Sequence, residues 1–91
     1  MKHPLYTYGD DTEVTASSVR DGKVRVYTER WDSDRDMFVS VEIMIPDGTI
    51  VSSNGYSEAE VSALVEKYQK LADDIIDYVR EKENERVVVS A

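Results

Sequence analysis

A long amphipathic stripe toward the C-terminus limits most what this chain can fold into. From Glu58 to about Glu83, the apolar residues Val61, Leu64, Val65, Tyr68, Leu71, Ala72, Ile75, Ile76 and Val79 recur at steps of three and four. That spacing gathers them on one side of an α-helix. The start is well marked: Ser57 and Glu60 have the spacing of a capping box, and Tyr56 is placed to staple onto Val61. A helix of that length spans about 39 Å, against a diameter of roughly 31 Å for a globule of 91 residues. Its end therefore either frays or projects. Such a stripe needs an apolar surface to cover, and only the residues before it can supply one.

Those residues carry the alternation of strands. Glu13–Arg20 and Lys23–Trp31 flank Asp21-Gly22, the dipeptide that favours a tight type I′ hairpin. In that register Val19 faces Val24 and Ala16 faces Tyr27. Met37–Ile45 places Met37, Val39, Val41, Ile43 and Ile45 on one side and Phe38, Ser40, Glu42 and Met44 on the other. Pro46-Asp47-Gly48 then turns the chain into Thr49–Ser53. The Asp32–Asp36 connection closes with five residues or six, and a slip of one exchanges Tyr27 and Trp31 for Val24 and Val26 on the core side. The expected fold is α+β: an antiparallel β-meander of three to four strands over 13–53, packed by one long C-terminal amphipathic helix over 57–83. Residues 1–12 form a poorly defined N-terminal segment, anchored only by Tyr6 and Tyr8. Val87-Val88-Val89, within 86–90, reads as a short final strand on a sheet edge, the alternative being a frayed tail.

Composition confines this to one domain. With 91 residues, 41% hydrophobic and 33% charged, the chain buries about 64% of its extended surface on folding. That is enough for a core but leaves little room for a deep catalytic cavity. No apolar run approaches the roughly 20 residues of a membrane span, and Met1-Lys2-His3-Pro4 has no secretory stretch. The chain reads as soluble and cytoplasmic.

Much chemistry is excluded by residue type. There is no cysteine, so disulfides, thiolate nucleophiles and cysteine-held metals are ruled out. The one histidine, His3, is read as a solvated terminal residue. Asp32-Ser33-Asp34-Arg35-Asp36 begins like a calcium loop, but Met37 and Ile43 stand where that loop requires glycine and glutamate, and Arg35 sits inside the cage. The segment is read as a solvated hairpin tip. Acid pairs for glycoside hydrolysis would need a cleft, and no phosphate loop or nucleophile elbow is present. The expectation is a chain with no catalytic residues, no metal and no cofactor.

The net charge is the positive clue. Nineteen acids against eleven bases leave −8, which disfavours nucleic acid and anionic membrane and favours a basic protein partner. On the helix wheel Glu66, Asp73, Asp77 and Glu81 share a quadrant opposite the core stripe, with Asp74 at its margin. Asp73, Asp77 and Glu81 rise about 6 Å each, a spacing at which like charges repel. The plainer explanation is a solvated face relieved by Lys67 and Arg80. The sharper one adds Asp32, Asp34 and Asp36, with Asp10, Asp11 and Glu13, and reads the array as a phosphate mimic that occupies a groove built for nucleic acid. In size, acidity and lack of catalytic residues the chain is similar to phage-encoded anti-CRISPR and antirestriction proteins, a likeness that implies an inhibitor of a nucleic-acid-binding effector.

An alternative rests on the sheet. A meander crossed by one helix resembles double-stranded-RNA-binding domains and, loosely, HicB-like antitoxins, folds that host unrelated functions. One helix covers one side, so the other, with Val24, Val26, Phe38, Met44 and Ile50 in one register, is left over. That surplus reads as a homodimer or partner interface.

Overall fold

The computed structural model describes residues 3–7 and 12–90, with side-chain surroundings for Pro4 and residues 12–83. Five strands, β1 (His3–Thr7), β2 (Glu13–Ala16), β3 (Val24–Asp32), β4 (Met37–Ile45) and β5 (Thr49–Asn54), lie in sequence order in one antiparallel sheet. Two helices follow, α1 (Glu58–Lys70) and α2 (Ala72–Ser90). The α+β meander is as expected from β2 to β5. The extra strand β1 comes from the N-terminal segment that carries no pattern, and its exposed Pro4 fits an edge, where a missing N–H costs no ladder bond.

The first turn follows the sequence, but its strands do not pair as expected. Asp21 and Gly22 have φ of 54° and 74°, both left-handed as type I′ requires. Arg20 and Lys23 exchange two backbone hydrogen bonds of 2.9 Å. Two residues along, the Ser17 N–H donates to the Arg25 carbonyl, and the Arg25 N–H donates to Ser17 Oγ at 2.9 Å. Ser18 and Val19 thus oppose Val24 alone, a one-residue bulge. Ala16 consequently pairs with Val26, not Tyr27. The bulge turns Val24, Val26 and Thr28 inward, all buried.

The second hairpin has the register of a six-residue closure, with Trp31 opposite Phe38. One further pair, Asp32 with Met37, leaves Ser33–Asp36 in the turn. This settles the two sides of the sheet. Val14, Ala16, Val24, Val26, Val41, Ile43 and Ile45 meet Val61, Tyr68, Ala72, Ile75, Ile76 and Val79 in one core. At its centre the Thr28 and Tyr68 hydroxyls share a buried hydrogen bond of 2.6 Å. Gly55, at φ 91° and pressed against Val39, turns β5 toward the helix at a point where a Cβ has no room.

The capping box at α1 is present: the Glu60 N–H donates to Ser57 Oγ at 3.2 Å, and the Ser57 N–H donates to Glu60 Oε1 at 3.1 Å. The single long helix, however, is two pieces. Leu71 has φ −95° and ψ 3°, outside the helical well, although no proline or glycine marks the place. Sheet size supplies the reason. Nine-residue strands such as β3 span about 27 Å, so a straight helix carrying the whole stripe would overrun them. Broken at Leu71, the second piece keeps Ile75, Ile76 and Val79 on the core and reaches the bulge of the first hairpin, where Glu83 Oε1 accepts from the Val19 N–H at 3.1 Å.

Residues 86–90 are also corrected: they belong to α2 and not to an edge strand. Between Arg80 and Arg86 nothing stops a helix, and extending one adds a hydrogen bond per residue. The modest β-branched penalty of Val87, Val88 and Val89 does not offset that. The helix does not fray early, and the molecule measures 48 × 24 × 19 Å.

Candidate functional surface

The structure divides the predicted acidic array into two groups. Asp32, Asp34 and Asp36 lie at the β3–β4 turn, at the same end as the α1 start, where Arg30 Nη2 pairs with Glu60 Oε2 at 3.0 Å. At the other end of α1, Gln69 Nε2 donates to the Pro46 and Asp47 carbonyls at 3.2 and 3.1 Å, at the β4–β5 turn. The α2 acids follow from that end. The length of β4, about 27 Å, therefore separates the turn from the beginning of α2, and the two groups do not form one array. Asp10 and Asp11 lie outside the described residues. Glu13 is on the sheet, opposite Glu29.

Within the turn group Asp32 alone is occupied with local structure; Asp34 and Asp36 are exposed, and neither carboxylate enters an ion pair among the described residues. Asp32 Oδ1 accepts from the Asp34 N–H at 3.0 Å and the Arg35 N–H at 3.3 Å, while Oδ2 pairs with Arg35 Nε at 3.6 Å. This is an Asx turn closed by an arginine. Arg35 also donates to the Gly55 carbonyl, tying the tip to the end of β5. Among the described residues no metal-holding group of side chains comes together here or elsewhere.

The helix group is different. Asp73, Asp74, Asp77 and Glu81 are all exposed, and among the described residues none enters an ion pair. They flank Ile75, Ile76 and Val79 on the side away from the core, as 3.6 residues per turn requires. Glu66, two turns earlier on α1, is also exposed but pairs with Lys70 at 3.2 Å. Four of the eight predicted residues thus form a single unneutralised stripe.

Two hollows bear on enzymatic chemistry. One, of about 510 Å³, lies beside the first hairpin with Arg20, Asp21, Lys23, Arg25 and Met44 around it. Its cations are largely matched, Lys23 by Asp47 at 2.7 Å and Arg25 by Glu42 at 3.5 Å. The Asp47 hydrogen bond and charge raise the Lys23 pKa above its ordinary 10.5. The second, of about 340 Å³, lies between β3 and α1 and is lined by Thr28, Arg30, Tyr56, Glu60, Leu64 and Lys67, among others. Glu60 there has its pKa lowered from 4.5, chiefly because the Ser57 N–H bonds its carboxylate, with Arg30 adding to the effect. A general acid needs the opposite shift, so Glu60 serves the cap.

The outer side of the sheet holds residues whose grouping the sequence left undecided. Val24 and Val26 are core residues, so the apolar surplus expected with them is absent. What remains is amphipathic: Arg25 beside Met44, Tyr27 beside Glu42, and Trp31 beside Phe38. Tyr27 donates to Glu29 Oε2 at 2.6 Å, and that bond raises the phenol above its ordinary 10.0. Trp31 and Phe38 meet edge to face with ring centroids 5.0 Å apart, and are 42% and 56% exposed. The β3–β4 register alone would have revealed this pair, and that register was what the sequence left open. Among the described residues no helix is long and apolar enough to cross a membrane. No family model, curated protein or solved structure matches the chain.

Proposed function

We propose that the chain is a small protein-binding module, without catalysis, that presents an acidic helical face to a basic partner. Asp73, Asp74, Asp77 and Glu81 support this reading: four exposed carboxylates that the fold leaves unpaired among its described residues. Like charges at i,i+4 cost a helix a few tenths of a kcal/mol apiece, and no compensating contact offsets that cost within the described protein. A basic partner would remove it. Carboxylates about 6 Å apart along a stiff helix can take the place of backbone phosphates, so the most concrete form is an inhibitor that occupies the groove of a nucleic-acid-binding protein, of the anti-CRISPR or antirestriction type. The turn acids lie outside this footprint.

The test is affinity capture at low and high ionic strength. The expected partners are basic and are released by salt; partners without a basic bias, retained in high salt, would contradict the proposal. A second reading, favoured by the exposed Trp31–Phe38 pair, is a homodimer or antitoxin-like module that docks through the outer sheet. It predicts salt-insensitive association lost on Phe38→Asp, and sedimentation as a strict monomer would rule out its homodimer form.

A further inference from the structure

We propose that the free edge of β5 takes up an extended, lysine- or arginine-bearing segment of the partner as a sixth strand. The inference rests on the acidic-module reading and specifies the form of the partner's contact. The two edges of the sheet are not alike. β1 carries Pro4, which offers no N–H, and its pairing with β2 is irregular, two devices that discourage a further strand. β5 reads Thr49, Ile50, Val51, Ser52, Ser53 and Asn54, with no charge and no proline, and all six are exposed. A register shift opposite Glu42 and Ile43 leaves Val51 as the extra residue. Ile50 and Val51, 50% and 46% exposed, are thus adjacent apolar side chains at the open border.

The chemistry of the occupant follows from what borders that edge. Gln69 bonds the turn that leads into β5, which fixes the side of α1 nearest the edge. At 100° per residue that side carries Glu58, Ser62, Val65 and Gln69, with Glu66 next to it. The cations bordering it are matched, Lys70 by Glu66, Arg35 by Asp32 and Lys23 by Asp47. An added strand would place alternate side chains beside Glu58, the carboxylate of that side left unmatched among the described residues, while its backbone satisfies the β5 edge. A second copy of a chain with net charge −8 would bring acid to acid.

The experiment is an amide NMR titration of the full chain with an acetylated, amidated peptide alternating lysine with valine and threonine. Saturable shifts and slowed exchange are expected at 49–54, with binding about tenfold weaker for Val51→Lys and for the same peptide with alternate amides N-methylated. Unchanged binding of the N-methylated peptide would overturn strand addition. Shifts confined to α2 would overturn it too while leaving the acidic module standing, and no response at 49–54 would do the same. Concentration-dependent shifts at 49–54 without peptide would assign the edge to a second copy and likewise overturn the proposal.

Discussion

Asp32 at the β3–β4 turn and the carboxylates of α2 are alike in sequence and unlike in use. At the β3–β4 turn, Asp32 binds two backbone N–H groups and an arginine, so its charge is spent inside the fold. On α2, Asp73, Asp77 and Glu81 repeat at the spacing that repels and hold nothing among the described residues. An acid run is therefore informative only when its internal partners are known. The contrast between structural and presented charge can be pressed by substitution.

The largest effect on stability is expected at Asp32. Asp32→Ala removes both acceptor bonds and the Arg35 pair and should cost about 1–2 kcal/mol, read by urea unfolding, while Asp34→Ala should cost almost nothing. An equal cost at both positions would erase the distinction. At Asp77 the sign reverses. Asp77→Lys turns two like-charge pairs into attractive ones and should stabilise the fold by about 0.5–1 kcal/mol, seen as a raised Tm. Destabilisation would mean that the carboxylate has a structural partner. Smaller still is Asp36→Gly: Asp36 sits at φ 55°, and relief of left-handed strain should gain about 0.5 kcal/mol.

Glu60 supplies a pH-dependent version of the same contrast. Its folded pKa lies below the unfolded 4.5, so its contribution is present above that value and is lost as pH falls through the lowered one. The stability difference between the wild type and Glu60→Gln should shrink between about pH 7 and about pH 3. A constant difference would show that charge plays no part in the cap.

Local signals were legible, and signals set by distant packing were not. Asp21-Gly22 and the Ser57–Glu60 box act over a few residues, and both appear as expected. The bulge at Ser18 and Val19 depends on a serine hydroxyl replacing a carbonyl across the strands, which alternation does not encode. The break at Leu71 answers to the length of the sheet, and β1 to an edge left for it. Val87–Val89 has strand-like composition but follows a helix with nothing to stop it, so continuation prevailed. The outer aromatic pair depended on one unresolved register. The α2 acidic face was readable from helical spacing alone, but its separation from the turn acids required the topology.

The α2 carboxylates, and not those of the turn, are expected to contact the partner. The measurement is capture of the same basic partners by three chains of equal stability: wild type, Asp34→Lys/Asp36→Lys, and Asp73→Lys/Asp77→Lys/Glu81→Lys. Retention by the first two and loss by the third is the predicted result, with salt releasing what the first two hold. Binding that survives reversal of the α2 stripe would contradict it.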